Sequence, residues 1–290
     1  MARKPEAQTA FGPMVLSAVE QQEPPGRRLV DDELAAAFLP AALRLFVGAT
    51  RFAPLRRAVI GASERSGPGM WANIACRKHY IDDNLQQALG DIDAVVILGA
   101  GFDTRAYRLA PGSDIPVFEV DQPLNVDRKK KVVARVLGTP PASVRLVPVD
   151  FERDDLMAVL AAHGYRPDGR TFFAWEGVTQ YLTEPAVRAT FAQLAQAARG
   201  SRLDFTYVRR EFIDGDELYG APALYRRMRQ RRQVWKFGLV PEEVADFIAP
   251  YGWRLIEQAG PDEFMNRYVR PSGRTLDTSQ LEWSAYAEKV

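Results

Sequence analysis

Five short runs of β-branched and aromatic residues, separated by helix-length segments, constrain this chain more than any other feature. Ala94–Leu98 (AVVIL), Pro116–Val120 (PVFEV), Arg145–Val149 (RLVPV), Thr171–Trp175 (TFFAW) and Leu203–Val208 are each too short for a helix. Helical segments at 124–137, 154–163 and 184–199 fall between them. Strands alternating with helices predict parallel βαβ units and a doubly wound α/β sheet. Two later runs, Trp253–Gln258 and Glu282–Ala287, would add an antiparallel C-terminal edge. Upstream, Asp31 is the expected N-cap of a helix over 32–46, 61–70 reads as a loop, and Tyr80–Leu89 is amphipathic. Residues 1–30, rich in Pro and Gln, are expected to wrap the surface, with a short helix near Met14–Gln21. The expected organisation is an N-terminal helical cap over 1–90 and a Rossmann-like domain over 91–290. A helical lid is expected to be inserted at about 209–236.

Charge and cysteine content narrow the function. With 38 basic and 37 acidic side chains the net charge is +1, which gives no reason to expect nucleic acid or an anionic membrane as partner. The basic clusters Arg128–Lys131 and Arg226–Arg232 read as solvated helix faces. One cysteine, Cys76, and two histidines, His79 and His163, exclude a disulfide framework and argue against a metal centre. No run approaches the ~18 apolar residues of a membrane span. A cytoplasmic protein, monomer or homodimer, is the expectation.

The ends of the strands carry the chemistry. Gly99-Ala100-Gly101 follows the first run, and ligands of open α/β sheets lie at the carboxyl ends of strands. Glycines there let backbone approach a ligand, though a tight turn without ligand reads the same way. Thr104 replaces the third glycine of the dinucleotide fingerprint, which counts against NAD and FAD. Asp121 lies 20 residues past Gly101, the separation at which a carboxylate reaches ribose hydroxyls. Glu119 points to the same strand face and is the alternative; a helix N-cap is the plain reading of either. Asp150-Phe151 offers an acceptor and an apolar surface to an adenine ring, and equally suits a cap beside a core aromatic. Glu176, between Trp175 and Gly177, calls for a partner because an unpaired buried carboxylate is costly; a cationic ligand group would supply one.

Together the stretches VVILGAGFDTRAYRL, VFEVDQP, VPVDF and WEGVTQYL, with RKHYIDD upstream, resemble the leucine carboxyl methyltransferase family, which includes the tetracenomycin-type polyketide O-methyltransferases. They stand in family order over residues 70–210, and FGLVPEEV and GW segments at 237–253 continue the likeness weakly. The resemblance implies a class I methyltransferase fold and S-adenosyl-L-methionine as donor, with S-adenosyl-L-homocysteine as product. It implies that Arg77 holds the methionine carboxylate as a bidentate pair, and that Gly99 lines the same moiety. Asp121 would take the ribose, Asp150 and Phe151 the adenine, and Glu176 the methionine ammonium. Ala100, Gly101, Asp103, Arg105, Glu119, Gln122 and Gly177 complete the expected donor-binding set. Tyr181 would line the substrate pocket. Relatives carry a basic residue in an early helix over the donor, where this chain reads LSAVEQQ.

Methyl transfer from a sulfonium is an in-line displacement, so such an enzyme mainly aligns an acceptor oxygen at ~3–3.5 Å and excludes water. A carboxylate acceptor needs no base, whereas a phenol benefits from one, and His79 is the nearest candidate in sequence. The expected acceptor is a carboxylate or hydroxyl of a small secondary metabolite such as a polyketide. A protein carboxyl acceptor, and a non-methylating use of the donor as a structural cofactor, are the alternatives. No metal is expected.

Overall fold

The computed structural model describes residues 11–108 and 114–290. The strand runs form β1 (Ala94–Leu98), β2 (Val117–Asp121), β3 (Val144–Pro148), β4 (Thr171–Trp175) and β5 (Arg202–Val208), all mutually parallel. Every residue of β1, β2 and β4 is buried, as strands covered on both faces require. The C-terminal pair, β6 (Trp253–Ala259) and β7 (Glu282–Lys289), completes a seven-stranded sheet of order β3-β2-β1-β4-β5-β7-β6. β7 runs antiparallel between β5 and β6. The order reverses between β1 and β4, the switch point where open sheets place ligands.

The crossover helices follow from local sequence. The helices Pro123–Leu137 and Glu184–Leu194 each begin with proline in the first turn, where its missing N–H costs nothing. Thr183 caps the second of these by accepting from Ala186 N–H. Ala186, Val187, Thr190, Phe191 and Leu194 recur at helical spacing and form its buried face, with Phe191 against Trp175 and Phe205. Between them the helix Leu156–Ala162 returns the chain from β3 to β4, its Asp155 cap accepting from Ala158 N–H.

The N-terminal third departs from the sequence reading in three places. The helix expected over 32–46 is two, Ala35–Phe38 and Ala41–Ala49, because Pro40 between them cannot continue an α-helix. Asp31 caps neither; it is exposed and pairs with Arg28, while Asp32 is buried and accepts from Thr104. The expected loop at 61–70 is helical as far as Ser66: Gly61 is tolerated inside the helix Ala53–Ser66, and the break comes at Gly67-Pro68-Gly69. Residues 1–10 of the expected surface wrap lie outside the described residues. The helix that follows, Phe11–Glu20, is core rather than wrap, with Met14, Leu16, Ala18 and Val19 buried.

The helix Met70–Ala88 packs against β4, β5 and β7 and carries Met70, Ile74, Arg77 and Lys78 on one face. Among the described residues no helix is long and apolar enough to cross a membrane.

Candidate active site

A cavity of about 540 Å³ opens at the carboxyl edge of the sheet. Its floor is the turn after β1, Gly99 through Asp103, and its walls are the strand-end residues Asp121, Gln122, Asp150 and Phe151. Glu176 and Gly177 after β4 and Tyr181 just beyond also line it. The switch point thus brings twelve of the expected residues to one space: Arg77, Gly99, Ala100, Gly101, Asp103, Asp121, Gln122, Asp150, Phe151, Glu176, Gly177 and Tyr181 all line it. His79, Arg105 and Glu119 are absent from its lining.

Asp121 ends β2 and fixes the floor. Its Oδ2 accepts from Gly101 N–H at 2.6 Å, and its Oδ1 from Gln122 N–H at 2.6 Å and Asn125 Nδ2 at 2.8 Å. Burial pushes its carboxyl above the ordinary aspartate value, against those hydrogen bonds. Asp150 is partly exposed after β3, accepting from Glu152 N–H. Beside it, Phe151 presents its ring to the same space.

The deep end is ionic. Glu176 accepts from Arg77 Nε at 3.1 Å on one oxygen and from Arg105 Nη2 at 3.0 Å on the other. Burial opposes its charge, but Lys78, Arg105 and Arg77 hold the carboxyl below the ordinary glutamate value. The cost that made Glu176 conspicuous in the sequence is therefore already met within the chain, so that carboxylate needs no cationic ligand to explain it. Arg77 also pairs through Nη1 with Glu282, the first residue of β7. Because β7 is antiparallel, its first residue stands at the edge where the parallel strands end, opposite Val208. Of the Arg77 guanidinium only Nη2 donates to none of the described residues, so the bidentate fork expected for a carboxylate is not open. Lys78 lies next to it, buried, lining the cavity, with Nζ 4.0 Å from Asp32.

Three expected residues act elsewhere. Arg105 is fully buried behind the floor, its guanidinium shared among Asp82, Asp103 and Glu176. Glu119 is buried with Lys129 Nζ at 2.7 Å and Tyr107 Oη at 2.8 Å, so one member of the supposedly solvated cluster 128–131 is a core ion pair. His79 lies on the far side of its helix, with Nδ1 3.0 Å from Leu29 O and its ring stacked on Tyr268.

Gly99 has φ +70°, and a Cβ there would sit 2.3 Å from Val178 Cγ2. The turn after β1 thus presses on the turn after β4, which is a backbone reason for glycine independent of any ligand. Gly99→Ala should cost about 2 kcal/mol or more in urea unfolding, from left-handed backbone strain plus displacement of Val178. An unchanged midpoint and slope would show that the turn is free to move.

A sequence model of the leucine carboxyl methyltransferase family matches residues 10–195, which is most of the chain. The chain belongs to the leucine carboxyl methyltransferase family. A provisionally named S-adenosyl-L-methionine-dependent methyltransferase of Mycobacterium avium is 36% identical over 197 residues, 63% of this chain and 61% of the relative. The chain thus spans about three fifths of that relative's length. One from Mycolicibacterium smegmatis, named the same way, is 31% identical over 258 residues, covering 85% of this chain and 81% of the relative. A crystal structure of a provisionally named methyltransferase from Thermobifida fusca superposes with a TM-score of 0.60 at 15% identity, over 98% of this chain and 97% of that one. The fold is the class I methyltransferase fold.

The cofactor of this family is S-adenosyl-L-methionine, and the cavity's residues fit it. A carboxylate stands at the end of β2, an aromatic after β3, and an arginine Nη2 and a lysine at the deep end.

Proposed function

We propose that the chain transfers a methyl group from S-adenosyl-L-methionine to an oxygen of a small molecule. The observation that carries this reading is one continuous cavity with two chemically different halves. Strand-end acids and Phe151 line one half; Met70, Tyr181, Leu224, Met228 and Trp235 line the other.

When bound, the donor supplies an electrophilic methyl on sulfur. In the first half, Asp121 offers its remaining acceptor capacity to a vicinal diol, and Phe151 covers a base. Glu176 keeps spare lone pairs for an ammonium group, while Arg77 Nη2 and Lys78 meet a carboxylate. Lys78 supplies the cation that the early helix lacks: Gly12, Pro13 and Met14 of that helix line the cavity without a charge. Stacking of Phe11 on Phe102, centroids 4.8 Å apart, holds the helix over the floor and excludes water.

The second half is bounded by the segment 209–236, with helices Arg210–Asp214 and Pro222–Tyr225 and a π-helical turn Arg226–Arg231. Its apolar wall against Tyr181 suits a small acceptor better than a protein tail. The choice of oxygen rests on the family, described by a carboxyl acceptor, and on Gln180, whose buried Oε1 has no partner among the described residues and would accept from a hydroxyl. No imidazole reaches this half, so alignment and water exclusion would carry the rate.

Calorimetric titration with S-adenosyl-L-homocysteine should give a micromolar-range dissociation constant of about 1–100 μM, a binding energy of about 5–8 kcal/mol. Donor carrying a tritiated methyl should label hydroxylated aromatic acceptors in a small-molecule panel. No titration heat and no donor protection against unfolding would end this reading.

A further inference from the structure

In the sequence cluster Arg226–Arg232, read as a solvated helix face, Arg226, Arg227, Arg231 and Arg232 are indeed exposed and Arg229 is the exception. From Leu218 to Val240 the chain carries Arg226, Arg227, Arg229, Arg231, Arg232 and Lys236 and no acidic residue, in a protein whose net charge is +1. A solvated helical face normally intersperses opposite charges at i, i+4 spacing. Here the cations divide by role. Arg229 is turned inward, donating from Nε to Ile213 O at 2.8 Å and from Nη1 to Trp235 O at 2.5 Å. That tie, with Gln233 at φ +50° and Lys236 N–H bonded to Gln180 O at 2.7 Å, folds the chain back over the cavity. Arg227, Arg232 and Lys236 are thereby set at the cavity mouth, exposed yet part of its lining. None of the three pairs with a carboxylate among the described residues. The acids of the same cavity, Asp103, Asp121, Asp150, Glu152, Glu176 and Glu282, come from the strand ends and the start of β7.

We propose that the acceptor carries an anionic group, a carboxylate or phosphate remote from the methylated oxygen, which docks on Arg227, Arg232 and Lys236. The inference rests on the second half of the cavity being the acceptor site. Three unpaired cations at one mouth concentrate anions there and orient them on entry. An apolar wall of Leu224, Met228 and Trp235 behind them takes the body of the molecule. The methylated oxygen is a different group, because the mouth is open to water and cations lower the nucleophilicity of an oxygen they hold. The buried Trp235 Nε1 and Gln180 Oε1, both without partners among the described residues, belong to side chains farther in, where a hydroxyl can be matched as acceptor and donor. The acceptor class is thus a small, largely apolar hydroxy acid or hydroxylated phosphate ester.

The test compares three probes of one shape, 1-naphthol, 1-naphthoate and 1-naphthyl phosphate, binding to the full chain in the presence of S-adenosyl-L-homocysteine. At least one anion should bind about tenfold or more tightly than 1-naphthol, with the advantage shrinking as salt rises. Which anion wins decides between carboxylate and phosphate. In the combined variant Arg227→Ala, Arg232→Ala, Lys236→Ala the preference should fall to about threefold or less, with the unfolding temperature unchanged. Replacing both arginines by lysine should retain most of it. Equal or tighter binding of 1-naphthol, no binding of either anion, or a preference that survives the triple alanine variant would each overturn the proposal. Failure of S-adenosyl-L-homocysteine to bind is read separately and refutes the donor assignment instead.

Discussion

Asp121→Ala is expected to weaken S-adenosyl-L-homocysteine binding about 100-fold or more, the largest loss of affinity from any one side chain lining the donor half. Hydrogen bonds to a charged group contribute roughly 1.5–3 kcal/mol each, and this carboxylate, with three donors of the chain on it, has room for about one more from a ribose hydroxyl. The same carboxylate receives Gly101 N–H, Gln122 N–H and Asn125 Nδ2, so its removal also releases the floor of the cavity. These two contributions are separable. Asp121→Asn keeps an acceptor oxygen for the backbone but loses the charge, and should lie between wild type and alanine in affinity while unfolding near the wild-type temperature. Calorimetry of the three proteins decides. If the alanine variant binds S-adenosyl-L-homocysteine within threefold of wild type, roughly 0.7 kcal/mol, Asp121 is a structural clamp and the ribose assignment is wrong.

How far that site could be read from sequence depends on the range of the interactions that build it. All five parallel strands lie within one residue of their expected bounds, because a β-branched run ended by glycine, proline or a charge is a local signal. The strand ends come with them, and so do Asp121, Asp150 and Glu176. What could not be read was pairing across the chain. Arg77 meets Glu282 over 205 residues, a contact fixed only by the antiparallel insertion of β7. Arg105 and Glu119 sit in the same motifs as true lining residues, yet their side chains point to the other side of the floor, where Asp82 and Lys129 await them. A one-dimensional motif does not distinguish a residue that touches a ligand from one that holds its neighbour in place. Lys78 shows the converse. It is adjacent to Arg77 and lines the same cavity, but nothing in the sequence fixes which face of the helix turns inward. The segment 261–269 does carry a helical signal, with Pro261, Phe264, Met265, Tyr268 and Val269 at i, i+3, i+4, i+7 and i+8, and it is helical in the structure as Pro261–Phe264 and a π-helical turn.

The second large effect lies behind the cavity. Arg105→Met is expected to destabilise the protein by about 3–5 kcal/mol, because it leaves buried carboxylates with fewer partners. The three acids facing Arg105 are not equally exposed to its loss. Asp82 retains Arg108 Nη2 at 2.8 Å, and Glu176 retains Arg77 Nε at 3.1 Å. Asp103 keeps one hydrogen bond, from the backbone N–H of residue 105 at 2.7 Å, and the weaker attraction of Lys78 and Lys129. In the wild type burial opposes the Asp103 charge, but Arg105, Lys78 and Lys129 hold the carboxyl well below the ordinary aspartate range. A depressed folded-state pKa contributes stability above the unfolded value and loses it only as pH falls through the folded one, so the wild type keeps this contribution at neutral and mildly acidic pH. In Arg105→Met burial, the largest influence on this carboxyl, is expected to outweigh Lys78 and Lys129 and raise the Asp103 pKa, which reverses the sign: stability is then lost as pH rises through the raised value. The gap between wild type and variant should therefore widen between about pH 5 and pH 7.5, measured by urea denaturation at both. Arg105→Lys restores a charge but not the three-way fork, and should recover part of the loss. A gap below about 1 kcal/mol, or one that narrows toward pH 7.5, would mean that water or a rearranged Lys78 satisfies Asp103, and that the buried arginine is dispensable to the floor of the site.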